Sequence, residues 1–200
     1  MKTVSMRHFL RAGALLALLA PTLALAHQES GQATGLLAGL THPVSGMDHV
    51  LAMVAVGLWG AVLGQPAIWV LPVAFPLMMA LGGLMGLLGF PLPGVEIGIA
   101  ASAIVLGTVV LTELRLPLLL ATLITALFAI FHGHAHGAEL PEGASALMYS
   151  LGFVMATGLL HAVGILLGAV HGRRLGRKVV RAAGGGVALA GLFFMWKALA

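Results

Sequence analysis

From Gly46 onward the chain alternates between long blocks of almost unbroken apolar residues and short joints rich in proline, glycine and charge. The blocks run Gly46 to Gly64, Ala67 to Phe90, Val95 to Thr112, Pro117 to His136, Ala146 to Val170 and Val179 to Leu199. Each is close to the ~20 residues an α-helix needs to cross a bilayer, so the pattern predicts an all-α, polytopic membrane protein: a bundle of six transmembrane helices. Pro66, Pro91, Pro93, Pro117 and Pro141 fall at or near the joints, which supports these divisions. Pro72 and Pro76 lie inside the second block and predict a kink there. Thr34 to Leu40 either extends the first helix or forms a short re-entrant piece. Glycines recur four residues apart at Gly60 and Gly64, Gly82 and Gly86, Gly94 and Gly98, and Gly164 and Gly168. That spacing lets helix backbones approach closely and predicts a compact bundle. No stretch outside the blocks is long enough to bury a soluble core, so residues 27–200 read as one membrane domain.

The first residues follow a different pattern. Lys2, Arg7 and Arg11 surround and precede a short apolar core, Ala12 to Ala20, and Pro21 and Ala24-Leu25-Ala26 then lead into the polar His27-Gln28-Glu29-Ser30. This is the layout of a cleaved secretory signal peptide over residues 1–26, its core too short for a span. Cleavage after Ala26 would leave His27 at the new N-terminus, where amine and imidazole could chelate a metal together. With the mature N-terminus exported, the joints at Gln65, at Glu113 to Leu116 and at His171 to Lys178 face the cytoplasm. They hold Arg115, Arg173, Arg174, Arg177 and Lys178, with Arg181 just beyond, whereas the outward joints Pro91 to Gly94 and Gly137 to Ser145 contain no Lys or Arg. The positive-inside rule therefore agrees with the signal-peptide reading and an exported mature N-terminus.

Composition narrows the classes further. The chain is 60% apolar and 8% charged, with a mean hydropathy of +1.08, against roughly 25% charged residues in soluble domains. Its formal charge of +4 is no nucleic-acid footprint, because three of the cations sit in the leader and most others gather in one joint. The absence of cysteine excludes disulfides and thiolate sites, so any metal is held by nitrogen, oxygen or thioether ligands. No prosthetic group is implied. The chain carries no nucleotide-binding motif. The oligomeric state stays open, a homo-oligomer included.

Two polar motifs interrupt the apolar blocks. His42-Pro43-Val44-Ser45-Gly46-Met47-Asp48-His49 stands at the mouth of the first span, and titratable groups there commonly mark an ion pathway or proton relay. Pro43 and Gly46 are expected to make this approach non-helical. Asp48 and His49 project about 100° apart on a helix, and Met53 shares the His49 face as a candidate soft ligand, although methionine is more often core filler. The second motif, Phe131-His132-Gly133-His134-Ala135-His136-Gly137-Ala138-Glu139, closes the fourth span on the same side of the membrane. His132 and His136 share a helix face at a two-imidazole metal spacing, His134 points elsewhere, and Glu139 could close the site from the loop. Glu96 opens the third span, where it can cap the helix or offset a bound cation's charge. His161 lies within the fifth span as a candidate path residue, while His171, beside Arg173 and Arg174, reads as a solvated loop residue. No His-Glu-x-x-His pair occurs and no nucleophile sits beside a histidine, so an enzyme is not expected.

Taken together, His42-Pro43-x-x-Gly46-x-Asp48-His49-x-x-x-Met53 and Phe131-His132-Gly133-x-Ala135-His136-Gly137-x-Glu139 resemble the HupE/UreJ family of bacterial nickel permeases. The resemblance spans the leader, the six blocks and Val95-Glu96. It implies uptake of Ni²⁺, with cobalt a second candidate cargo, to supply hydrogenase or urease maturation machinery. It also implies that His42, Asp48, His49, His132, His136 and Glu139 are critical to transport, with His134 at a variable position. On this basis the expected site lies at the outer ends of the first, third and fourth spans. A permease for another divalent transition metal, or a metal-binding accessory or sensor protein that does not conduct, are the alternatives.

Overall fold

The computed structural model describes residues 35–138 and 143–200; the leader, His27 and Glu139 lie outside the described residues. Seven α-helices follow one another: α1 (Gly35–Ser45), α2 (Met47–Leu63), α3 (Ala67–Leu87), α4 (Val95–Thr112), α5 (Leu118–Ala138), α6 (Ala146–Gly168) and α7 (Arg174–Leu199), with a 3₁₀ turn at Ala169–Gly172 between the last two. Five of them are long and apolar enough to cross a membrane. A sixth span is reached if α1 and α2, bent by 83° at Gly46, count as one broken crossing. Among the described residues there is no strand.

Three boundaries differ from those expected. The His42 to Ser45 stretch is helical and belongs to α1. Pro43 leaves only the Gly39 carbonyl of that helix without its donor, which a helix within a turn of its end tolerates, so the break falls at Gly46 alone. The second span stops at Leu87, three residues before Phe90, where Gly89 takes φ +69°. It runs as one helix through Pro72 and Pro76. The last helix begins five residues earlier than expected, at Arg174, so Arg174, Arg177 and Lys178 occupy its first turns instead of a loop.

α2 is the central helix, buried along nearly its whole length from Ala52 to Val62, and it packs on α3, α4, α6 and α7. The largest helix pairings are α3 with α5 and α4 with α7. Leucines such as Leu77, Leu119, Leu159 and Leu189 remain exposed around the outside, as a lipid-facing surface requires. Glycines bring backbones together inside: a Cβ on Gly57 would run into the His161 carbonyl, and one on Gly164 into the Val54 carbonyl. Gly82 and Gly86 face α5 in the same way, at Ile130 and His134. Gly64 and Gly94 instead serve as positive-φ caps, so only part of the four-residue glycine pattern is a packing device.

The two ends of the bundle differ in chemistry. One end gathers Arg115, Arg173, Arg174, Arg177 and Arg181 around Glu113. Arg177 Nε lies 2.7 and 2.8 Å from the two Glu113 oxygens, and Arg177 Nη2 also donates to Oε2. His171 Nε2 stands 3.7 Å and Arg181 Nε 3.8 Å from the same carboxylate. His171 is thus a largely buried side chain on the 3₁₀ turn beside Glu113, not a solvated loop residue as expected. Arg181 Nε also donates to the Leu111 carbonyl at 3.0 Å, and Trp59 Nε1 to the Leu114 carbonyl at 3.1 Å, which tie α7 and α2 to the end of α4.

Two measurements test this packing. Alanine is a better helix former than glycine by about 1 kcal/mol, so Gly158→Ala, whose Cβ meets nothing, should hold or raise the thermal midpoint in detergent. Gly57→Ala should lower stability by about 1–3 kcal/mol, because overpacking outweighs propensity. At the basic end, hydrogen bonds from Arg177 hold the Glu113 carboxyl below the ordinary carboxylate range. A depressed acid contributes stability in full above its unfolded value of about 4.3 and loses it as pH falls through the lower folded value. Wild type should therefore be more stable than Glu113→Gln at pH 7, and the gap should close in thermal scans carried down through about pH 4 and below.

Candidate metal centre

The opposite end of the bundle carries the histidines, and the local sequence explains how they turn inward. On α5, His132 and His136 are each followed by a glycine. A Cβ on Gly133 would strike the Met79 carbonyl and one on Gly137 the Gly83 carbonyl, so both glycines press α5 directly on α3. Neighbouring residues on a helix diverge by about 100°. With the glycine face on α3, the two imidazoles face the bundle interior, 0% and 5% exposed respectively.

The break at Gly46 delivers the other two rings. α1 brings His42 to a ring-centroid distance of 4.7 Å from His136, and the first turn of α2 brings His49 to 4.4 Å from His136 and 4.7 Å from His132. Four imidazoles from three helices thus meet in one place. Asp48 orients the second of them: its Oδ1 accepts the His49 backbone N–H at 2.8 Å and lies 2.9 Å from His49 Nδ1. The carboxylate satisfies one of the orphan N–H groups at a helix start, where the macrodipole also favours negative charge. With Nδ1 engaged, His49 keeps a buried Nε2 that closes no hydrogen bond. A carboxylate behind a histidine is the arrangement that orients metal-binding imidazoles elsewhere.

Residues that the sequence did not single out complete the surroundings. Ser102, a lone serine on α4, donates its hydroxyl hydrogen to the Ile99 carbonyl at 2.6 Å and stands 2.8 Å from His132 Nε2. The hydroxyl has only one hydrogen, so towards His132 it is an acceptor. His132 therefore carries its proton on Nε2 and presents Nδ1 as a bare, buried lone pair. Phe153 packs on His136 at 4.2 Å, Tyr149 stands 5.9 Å from His42, and Phe75 closes the floor 5.6 Å from His132. A cavity of ≈ 240 Å³ between α3, α5 and α6 reaches His136 and has room for several waters. Only a serine in an apolar helix and an aromatic between two prolines hinted at Ser102 and Phe75 in the sequence.

The remaining candidates go elsewhere. His134 Nε2 donates to the Phe90 carbonyl at 2.7 Å, so this imidazole ties down the α3–α4 joint. Glu96 is exposed on the first turn of α4. Met53 is fully buried in the apolar core one turn below His49, and His161 is buried deeper in the bundle. Among the described residues no three His, Asp or Glu groups already surround one point as ready-made metal ligands. The imidazoles pack largely edge to face, so gathering their nitrogens on one ion requires the rings to turn.

The family described as HupE / UreJ protein matches residues 15–194. Protein HupE of Rhizobium leguminosarum bv. viciae is 48% identical over 177 residues, which cover 88% of this chain and 92% of that protein. No solved structure matches.

Ser102 offers a direct check on the geometry. Ser102→Ala removes the acceptor of a buried imidazole N–H, which should cost about 1–3 kcal/mol of stability. In ¹⁵N-edited NMR of ring-labelled protein, the Nε2–H form of His132 should dominate in wild type. A mixture of tautomers should replace it in the variant; equal tautomer populations in wild type would contradict the hydrogen-bond direction deduced above.

Proposed function

This chain belongs to the HupE / UreJ family, and from that membership we propose that it is an inner-membrane permease carrying Ni²⁺, with Co²⁺ a second cargo, from periplasm to cytoplasm. The observation that carries the reading is the convergence of His42, His49, His132 and His136, drawn from three helices, within centroid distances of 4.4 to 4.7 Å at one end of the bundle. Imidazole nitrogens backed by one carboxylate suit a borderline divalent transition metal, whereas Mg²⁺ and Ca²⁺ take mostly oxygen ligands. The basic end, with Arg115, Arg173, Arg174 and Lys178, faces the cytoplasm under the positive-inside rule, which turns the histidine end to the periplasm.

In this mechanism a hydrated ion reaches the cluster past α1 and exchanges water for imidazole nitrogen. His49 and His132 supply the lone pairs left bare by Asp48 and Ser102 respectively. His42 and His136 complete the set as their rings rotate, and Asp48 offsets part of the ion's charge without needing to touch it. Glu96, exposed on the first turn of α4, and Glu139, the residue after α5 in the sequence, are further carboxylates available to collect cations before they enter. The metal supplied would serve hydrogenase or urease maturation, as the family resemblance implies.

Uptake of ⁶³Ni²⁺ into proteoliposomes tests the proposal. Wild type should accumulate the ion; His132→Ala and His136→Ala should each lower the rate at least tenfold. Asp48→Asn should weaken apparent affinity on the order of 10–100-fold, the usual cost of losing a group that orients a ligand. His134→Ala, which removes only the latch on Phe90, should stay within about threefold of wild type. Normal uptake by His132→Ala would overturn the assignment, and metal binding without accumulation would point to an accessory or sensor protein.

A further inference from the structure

Below the cluster the bundle contains a second set of buried polar groups. The inward face of α6 carries Tyr149, Phe153, Thr157 and His161, one helical turn apart. His161 is 1% exposed and Thr157 0%, and neither imidazole nitrogen nor the threonine hydroxyl closes a hydrogen bond. Threonines inside helices commonly return the hydroxyl to the carbonyl four residues back, as Thr108, Thr112 and Thr122 do here. Thr157 does not, so its oxygen stays available.

The helix opposite contributes a backbone acceptor beside His161. Pro76 has no N–H, so the Pro72 carbonyl lacks its partner within α3. The His161 imidazole faces that carbonyl without completing a hydrogen bond. Between this group and the upper cluster stands one fully buried ring, Phe75, 5.6 Å from His132 on one side and 5.4 Å from His161 on the other. His161 lies seven residues before Gly168, roughly 10 Å along the helix from the basic end. An unpaired imidazole, an unpaired hydroxyl and a proline-released carbonyl at this depth have no apolar reason to be there, since polar groups in lipid-embedded bundles are costly unless they bind something.

We propose that His161, Thr157 and the Pro72 carbonyl form a second, inner station for the same borderline divalent cation, with Phe75 as the partition an ion must pass between the two. The proposal rests on the permease reading and deepens it. One nitrogen and two neutral oxygens bind such an ion less firmly than four imidazoles beside a carboxylate. That is what a release step needs, because conduction requires sites weak enough to leave as well as strong enough to enter. The rival is a purely structural role, in which His161 pins α6 against α3.

The chain has no cysteine, so His161→Cys introduces a unique thiol, and a thiolate keeps a metal-binding group at the position. In proteoliposomes of the full chain, Ni²⁺ should slow labelling of that thiol by a small membrane-permeant maleimide at least fivefold. The exposed control Thr108→Cys should be labelled at the same rate with and without the ion. His161→Ala should cut ⁶³Ni²⁺ uptake at least tenfold while equilibrium binding at the upper cluster stays within threefold. Thr157→Val should slow uptake and Thr157→Ser restore it. Labelling of His161→Cys that ignores Ni²⁺ while wild type transports, or uptake by His161→Ala within twofold of wild type, overturns the inner station and leaves the permease standing. Protection without uptake by wild type keeps the site and removes the permease. Should His161→Ala fail to fold, the thiol labelling alone decides.

Discussion

Holding imidazoles inside a lipid-embedded bundle, away from water, is the constraint on which this architecture turns. A buried polar group without a partner is costly, yet His132, His136, His49 and His161 all keep at least one ring nitrogen that closes no hydrogen bond. The bundle tolerates them because the helices around them are locked by contacts that leave no room for retreat. α5 meets α3 backbone to backbone at Gly133 and Gly137, and α2 meets α6 at Gly57 and Gly164. In a membrane such close packing, and not apolar burial between helices, supplies most of the association energy. The glycine beside each histidine is therefore as much a part of the site as the ring itself.

The same logic separates two kinds of polar interaction. At the basic end, the Glu113 carboxylate is answered by the exposed guanidinium groups of Arg177 and Arg181, and these ion pairs anchor helix ends. At the histidine end, each hydrogen bond instead prepares a lone pair. Asp48 engages one nitrogen of His49 and Ser102 one nitrogen of His132, and in each ring the other nitrogen is left bare. Satisfied polar groups build structure here, and deliberately half-satisfied ones are the candidates for function. His134, bonded to the Phe90 carbonyl, belongs to the first kind although its sequence neighbours belong to the second.

The half-satisfied groups occur in two tiers separated by Phe75. Proline contributes to each tier in its own way. Pro43 is absorbed near the end of α1, while Pro76 releases the Pro72 carbonyl beside His161.

Much of this was written in the sequence itself. Apolar blocks of bilayer length determine that the chain is helical and membrane-embedded, because lipid leaves backbone polar groups no other partners. The four-residue interval between His132 and His136 determines that they share a face, since helical periodicity is a local property. What periodicity cannot say is which neighbour that face meets. Only the tertiary structure, through the 83° bend at Gly46, sets His42 over His136 and His49 between His136 and His132, and turns Ser102 and Phe75 into their supports. The approach of His171 to Glu113 was decided there too, by a contact between residues far apart in the chain.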